Sequence, residues 1–179
     1  MIVKGTSEAD HFVVAGGVNL NADEESSDVD VVGSVLAIYG RGGDDLLTAT
    51  TRPRSLRGGP GDDALVASAS GGGLLYEGGR GHDSLDYSNA ECSIEVSAMF
   101  QIFGCPIWES YDVASGVEEM SGTAYDDVIE GSSGNDVLKG RGGDDFLRGR
   151  KGRDLLDGGA GTDTCEGGGG GDTFIRCEA

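Results

Sequence analysis

The sequence predicts an all-β solenoid, in which short parallel strands stack as the chain coils. Two observations lead to this prediction. From Gly122 the chain divides into six consecutive units of nine residues, GTAYDDVIE, GSSGNDVLK, GRGGDDFLR, GRKGRDLLD, GGAGTDTCE and GGGGGDTFI. Each unit has glycine first, aspartate sixth, and an apolar residue or cysteine eighth. A short repeat with a fixed period indicates a solenoid, because each unit buries its apolar side against its neighbours.

The aspartates and the apolar residues keep one register. The sixth places of the six regular units are Asp127, Asp136, Asp145, Asp154, Asp163 and Asp172. The eighth places are Ile129, Leu138, Leu147, Leu156, Cys165 and Phe174. Less regular units begin at Gly40, Gly58 and Gly78, and their sixth places are Asp45, Asp63 and Asp83. A single further unit, GTSEADHFV, begins at Gly5.

The length of the unit sets the type of coil. Nine residues are too few for a helical hairpin, and a polar, Gly-rich stretch followed by a short apolar-centred one indicates a turn and a strand. One apolar residue per strand can bury only one face. Two units would therefore form each coil, with two parallel sheets around a thin core. Identical places in alternate units then stack at the ~4.8 Å strand spacing.

This stacking creates an electrostatic problem at the sixth place. Carboxylates about 5 Å apart in a column repel one another, and a cation between them makes the net electrostatic interaction attractive. Calcium–oxygen bonds of ~2.3–2.6 Å put two oxygens on opposite sides of an ion ~4.6–5.2 Å apart, whereas Mg²⁺ fits this spacing less well. Backbone carbonyls of the Gly-rich turns would supply the other ligands. We therefore expect the chain to fold when the metal binds.

The units resemble the GGxGxDxUx nonapeptide of the RTX, or hemolysin-type calcium-binding, repeat proteins. The resemblance implies a right-handed parallel β-roll that holds about five to eight Ca²⁺ ions. It implies the aspartate ligands Asp45, Asp63, Asp83, Asp127, Asp136, Asp145, Asp154, Asp163 and Asp172. It also implies turn glycines at the metal, namely Gly40, Gly42, Gly58, Gly61, Gly78, Gly81, Gly131, Gly140, Gly142, Gly149, Gly158 and Gly161.

Because alternate units stack, the expected aspartate neighbours can be named. They are Asp45/Asp63, Asp63/Asp83, Asp127/Asp145, Asp145/Asp163, Asp136/Asp154 and Asp154/Asp172. We interpret the acids at the fifth place, such as Asp44 and Asp144, as a source of negative potential rather than as ligands.

The repeat pattern divides one continuous domain into four segments. They are an N-terminal first repeat with an irregular cap (1–39), a degenerate repeat block (40–86), an interruption (87–121) and the regular block with its C-terminal end (122–179). In the interruption, Ile94 and Val96 alternate as in a strand, and Glu118 takes the place of the aspartate once the register returns. A loop or hairpin is therefore expected near 97–112. Its aromatic residues between 100 and 111 either cover the thin core or form an exposed patch for a glycan or protein.

The four cysteines form two pairs that are close in sequence, Cys92 with Cys105 and Cys165 with Cys177. This pattern indicates two disulfides and an oxidising compartment, and four free thiols in a reducing cytosol are the alternative. The ending GTDTCEGGGGGDTFIRCEA resembles that of secreted calcium-binding repeat proteins, where a disulfide would cap the open end of the coil. The resemblance thus implies a secreted bacterial protein.

Composition narrows the class of function. The formal net charge is −19, which disfavours nucleic acid and anionic membranes as partners. No apolar run reaches the ~20 residues of a membrane span. The sequence has no nucleophile elbow, HExxH motif or phosphate loop, so we expect no enzyme. The expected function is an extracellular calcium-dependent structural or binding module. The alternative is a calcium-assembled adhesin or surface-layer piece that binds through residues 100–111.

Overall fold

The computed structural model describes residues 2–4, 11–14, 19–21, 28–31, 37–49, 55–67, 75–97, 102–104 and 113–178. These residues form strands and turns. None of them belongs to a helix long and apolar enough to cross a membrane.

The described strands are short. The first ten are β1 (Ile2–Lys4), β2 (His11–Val14), β3 (Asn19–Asn21), β4 (Asp28–Val31), β5 (Ala37–Tyr39), β6 (Leu46–Ala49), β7 (Ser55–Pro60), β8 (Ala64–Val66), β9 (Leu75–Arg80) and β10 (Ser84–Asp86). The next ten are β11 (Ile94–Ser97), β12 (Ile102–Gly104), β13 (Val113–Ser115), β14 (Glu119–Ser121), β15 (Val128–Glu130), β16 (Val137–Gly142), β17 (Phe146–Lys151), β18 (Leu155–Ala160), β19 (Thr164–Gly169) and β20 (Thr173–Ile175).

The strands form three sheets. One has the order β1-β3-β5-β7-β9-β13, a second β2-β4-β6-β8-β10-β14-β16-β18-β20, and a third β12-β11-β15-β17-β19. Apart from β11, β12 and β13, successive strands therefore alternate between the nine-stranded sheet and the opposite flank. Stacked neighbours pair in parallel, as in Val137 with Leu155 and Phe146 with Thr164. Both steps equal two nine-residue units, which confirms the predicted parallel β-solenoid.

The core is a set of stacked eighth-place side chains. Those on the nine-stranded flank are Leu47, Leu65, Leu85, Met120, Leu138 and Leu156, each at most 2% exposed. Those on the opposite flank include Ile38, Leu56, Tyr76, Val96, Ile129 and Leu147. Burial of each such side chain contributes about 1.5–3 kcal/mol. Phe174 continues the first column but is 51% exposed, because no later described strand stacks over β20.

The interruption affects the two flanks differently. On one flank β10 pairs with β14 and β14 with β16, so the nine-stranded sheet spans both repeat blocks. On the other flank β13 pairs with β9 and β11 pairs with β15, and the stack is divided into two sheets. The strands β11 and β12 pair antiparallel, which is the predicted hairpin. The side chains of residues 100–111 lie outside the described residues.

Candidate metal centre

Two columns of acidic residues run along the solenoid, one on each flank. Each acid except Glu178 directly precedes a strand, and the strand register stacks it on the acid of the neighbouring turn. Glu178 is in register with Thr164 and reaches Asp163 through its side chain. The column beside the nine-stranded sheet contains Asp45, Asp63, Asp83, Glu118, Asp136, Asp154 and Asp172. The opposite column contains Asp127, Asp145, Asp163 and Glu178. All of these aspartates except Asp172 are at most 2% exposed.

Hydrogen bonds tie neighbouring aspartates of each column together. The backbone N–H of one aspartate donates to Oδ1 of the aspartate one turn later, with N–O distances of 2.7–3.1 Å. The pairs joined in this way are Asp45/Asp63, Asp63/Asp83, Asp127/Asp145, Asp145/Asp163, Asp136/Asp154 and Asp154/Asp172. The structure thus brings together the six pairs that stacking of alternate units predicts. It also shows that one oxygen of these acceptors already binds a backbone donor.

The fifth-place acids form a second ladder, which the sequence reasoning missed. Here the N–H of the later turn donates to the side chain of the earlier turn, as from Asp144 to Asp126 Oδ1 and from Asp62 to Asp44 Oδ1, both at 2.8 Å. Asn135 accepts from the Arg153 N–H in the same way. The use of asparagine at this place shows that the ladder needs an acceptor oxygen rather than a charge. Each turn is therefore hydrogen-bonded to its neighbours through both its fifth-place and its sixth-place residues.

The second carboxylate oxygen, Oδ2, is the unusual feature of the sixth place. It is buried and has no hydrogen-bond partner among the described residues in Asp63, Asp83, Asp145, Asp154 and Asp163. A buried charged oxygen without a partner is costly, and native proteins rarely retain one without an ion, a water or a function. Several of them in register indicate that the turns are built for a positively charged ligand.

The first-place glycine keeps space open beside this oxygen. A Cβ on Gly140 would lie 2.5 Å from the Gly158 carbonyl oxygen, 2.7 Å from Asp145 Cγ, and closest to Asp145 Oδ2. The same convergence of a carboxylate and a carbonyl of the next turn occurs at Gly40, Gly122 and Gly131. Two oxygens thus face a gap that any side chain would fill. Such a mixed set of carboxylate and carbonyl oxygens suits Ca²⁺.

The other predicted turn glycines allow close stacking of the backbone. Gly161 has a φ of 145°, and its missing Cβ would overlap the carbonyl of Gly143 one turn earlier. Gly61 and Gly81 stack in the same manner. In contrast, Gly142 has only ordinary contacts, the nearest at 3.7 Å. No group of three or more His, Cys, Asp and Glu side chains suited to a metal occurs in the described ranges. A cation at the columns would therefore take most of its ligands from the backbone.

The columns shift the pKa values of their members. Burial raises the pKa of Asp145 to about 7, the hydrogen bond from the Asp127 N–H opposes this, and the charges of Asp127 and Asp163 add to it. Burial likewise raises the pKa of Asp83 to about 6, with smaller contributions from Asp63 and Glu118. The pKa of Asp154 is raised mainly by burial as well. Without a cation, burial therefore disfavours the charged form of these carboxyl groups in the folded coil.

Two sixth-place aspartates differ from the rest. Asp127 accepts the Thr123 N–H at 2.6 Å and the Thr123 hydroxyl at 3.0 and 3.1 Å. Asp136 is bound by Ser132 in the same way. Both oxygens of each carboxylate thus have donors within their own unit. The sequence carries a signal for this, since only these two units of the regular block have Thr or Ser at the second place.

The outer faces of the same strands show how this solenoid stacks charges elsewhere. Arg148 lies between Glu130 of the previous turn and Glu166 of the next, at 3.3 and 3.0 Å. Arg57 pairs with Glu77 across turns in the same way. These outer-face pairs join opposite charges, whereas the described positions of the sixth-place columns hold only acids. A cation from outside the chain, or protons, would balance the negative charge of those columns.

The predicted cysteine bonds are partly visible. Cys165 and Cys177 form a disulfide with a Cα–Cα distance of 5.8 Å. Cys92 is disulfide-bonded, and its predicted partner Cys105 lies outside the described residues. The bond at Cys177 holds the last described residues against β19, where Glu178 bridges to Thr164.

The stacked parallel strands and the acid columns define a cation-binding β-solenoid. The family model of the RTX calcium-binding nonapeptide repeat, in four copies, matches residues 114–147, 121–156 and 140–174. Over these residues the chain matches RTX calcium-binding repeats, which imply a calcium-binding β-roll. The matched segment is about one third of the 179 residues. No curated protein matches the chain.

Proposed function

We propose that this protein is an extracellular calcium-binding module that winds into its β-roll when Ca²⁺ fills the acid columns, and that its role is structural or binding rather than catalytic. The observation that carries the proposal is the row of buried Oδ2 atoms, in Asp63, Asp83, Asp145, Asp154 and Asp163, that have no hydrogen-bond partner among the described residues. The described positions of their columns hold only acids. Neutral ligands would leave this charge unbalanced, while divalent cations balance it and stabilise the coil.

The extracellular location rests on two properties. Millimolar calcium outside cells is sufficient for sites of moderate affinity, and the Cys165–Cys177 disulfide is typical of an oxidising compartment. A bacterial, secreted origin remains what the resemblance implies. Residues 100–111 stay a predicted cover of the thin core or, as the alternative, a predicted patch for a glycan or protein partner.

The test is a calcium titration of the full chain, followed by circular dichroism and size-exclusion chromatography. We expect Ca²⁺ to increase the β signal and decrease the hydrodynamic radius reversibly, and Mg²⁺ at equal concentration to do much less. A spectrum that is the same with Ca²⁺ and with chelator would contradict the proposal.

Two variants test whether calcium binds between stacked turns. Asp145 is joined to a column neighbour on each side, while Asp172 is joined only to Asp154. Asp145→Asn should therefore raise the calcium concentration at the folding midpoint more than Asp172→Asn does. Equal midpoints for the two variants would show that calcium does not bind between stacked turns.

A further inference from the structure

Two tripeptides follow strands β13 and β20 where a regular unit has six residues, and yet they reach the acid columns. They are Gly116-Val117-Glu118 and Arg176-Cys177-Glu178. Each begins with a residue of positive φ, 59° at Gly116 and 48° at Arg176. Each has a middle residue at the core, since Val117 is 5% exposed and Cys177 packs against the core. Each ends in glutamate.

The glutamates make the hydrogen bond that an aspartate makes in a regular turn. The Asp145 N–H donates to Asp163 Oδ1 at 2.9 Å. In the same position of the column, the Asp83 N–H donates to Glu118 Oε2 at 3.0 Å, and the Asp163 N–H donates to Glu178 Oε2 at 2.6 Å. Glu118 therefore occupies the place of the next sixth-place aspartate. The backbone of Glu178 lies one residue later, in register with Thr164, and its carboxylate takes that place in the column.

The backbone of each tripeptide also follows the regular turn. Thr164 N–H donates to the Asp145 carbonyl at 2.8 Å where a regular strand begins. Glu118 N–H donates to the Asp83 carbonyl at 3.0 Å, and Glu178 N–H to the Asp163 carbonyl at 2.7 Å. The end of each tripeptide is thus held one strand spacing from the column neighbour.

The first residue of each tripeptide supplies the carbonyl of a regular turn. In a regular turn the Gly158 carbonyl faces the gap beside Gly140 and Asp145. The Gly116 carbonyl faces the gap beside Gly78 and Asp83, and the Arg176 carbonyl faces the gap beside Gly158 and Asp163. A regular unit needs six residues to place this carbonyl and its carboxylate. The tripeptide needs three, because the longer glutamate side chain makes up the distance.

The remaining oxygen at both places lacks a partner. Asp83 is fully buried and Asp163 is 1% exposed, and Oδ2 of each has no hydrogen-bond partner among the described residues. We propose that the two tripeptides are shortened calcium turns, in which Glu118 completes a Ca²⁺ site with Asp83 and Glu178 completes one with Asp163. This inference rests on the proposed calcium function. The Cys165–Cys177 disulfide acts as a positioning element for Glu178.

The test is a calcium count on the full chain carrying Glu118→Gln, Glu178→Gln or both. Glutamine keeps the size of the side chain and the acceptor oxygen, so the hydrogen bond to the aspartate N–H is retained while the charge is lost. Equilibrium dialysis should find one ion fewer in each single variant and two fewer in the double variant, or at least a tenfold weaker site in each case. Glu91→Gln, at an exposed glutamate, removes the same charge and should leave the count unchanged.

The outcomes separate this inference from the calcium proposal itself. If the unaltered protein binds no calcium, the proposed function fails. If it binds calcium and both glutamine variants keep every site at unchanged affinity, the proposed function stands and the shortened turns are wrong. As a second variant, Cys165→Ser with Cys177→Ser should weaken the site at Glu178 at least tenfold and leave the site at Glu118 intact. Circular dichroism at saturating calcium checks that each variant is folded.

Discussion

Substitution of Gly140 tests the space that the first-place glycine keeps open. A Cβ there would lie 2.5 Å from the Gly158 carbonyl oxygen and 2.7 Å from Asp145 Cγ, whereas ordinary contact begins at 3.4 Å. Both neighbours would have to retreat by close to an ångström. Overpacking of this kind costs about 1–3 kcal/mol, and a loss of about 2 kcal/mol corresponds to a decrease of about 4–8 °C in Tm for a protein of this size.

The assay is thermal unfolding of Gly140→Ala in saturating calcium, with a calcium titration beside it. Gly142→Ala is the matched control, since it lies in the same GRGGDD sequence and its Cβ would meet the nearest atom at 3.7 Å. We expect Gly142→Ala to stay within about 0.5 kcal/mol of the unaltered protein. If both alanine variants have the Tm of the unaltered protein, or if the Tm of both falls by the same amount, the first-place glycine does not keep a space open for a ligand.

Two further predictions concern the columns without calcium. In the presence of chelator, acidification should increase the β signal, because burial raises the pKa of Asp145 to about 7 and that of Asp83 to about 6 in the folded coil. A raised pKa means that the folded state binds protons more tightly than the unfolded state. The stability that protonation gives is therefore greatest below the ordinary pKa of aspartate and is lost as the pH rises through 6 and 7. A β signal that falls steadily on acidification of the calcium-free protein would refute this prediction. Thr123→Val should lower the free energy of unfolding by about 1–3 kcal/mol, and with it the urea midpoint, both with and without calcium. The reason is that it removes a donor from the buried Asp127 carboxylate. Thr162→Val is its control, since Thr162 is exposed and binds Asp144 through its backbone N–H; equal midpoints for the two valine variants would contradict the role of the Thr123 hydroxyl.

The periodic part of the molecule could be predicted from the sequence. A nine-residue period with one apolar place fixes a two-unit coil, and the coil in turn fixes which aspartates are neighbours, such as Asp145 with Asp163. The solenoid confirms this because stacking depends on backbone hydrogen bonds that every unit makes alike. Side-chain chemistry at variable places carries no such period. The fifth-place ladder was for this reason interpreted as negative potential, although its oxygens accept backbone N–H groups.

The parts outside the period could not be predicted. Glu118 was placed in the column because the register returns at residue 113, but Glu178 follows the last unit and no count of nine reaches it. Its position depends on the Cys165–Cys177 bond and on the positive φ of Arg176. The second-place hydroxyls of Thr123 and Ser132 were visible in the sequence. Their effect depends on the direction of the side chain, which turns the hydroxyl back to the aspartate of its own unit.

The unequal interruption of the two flanks has a mechanical consequence. Among the described strands, only the nine-stranded sheet is continuous at the level of the hairpin, through β10, β14 and β16. A force applied along the axis of the coil would pass through two sheets elsewhere and through one sheet at this level. Because one continuous sheet crosses this level and two cross the others, fewer inter-strand hydrogen bonds resist the force here. This level is therefore the weakest cross-section of the described coil. Stretching would open it first, and the divided flank would act as the outer side of a bend.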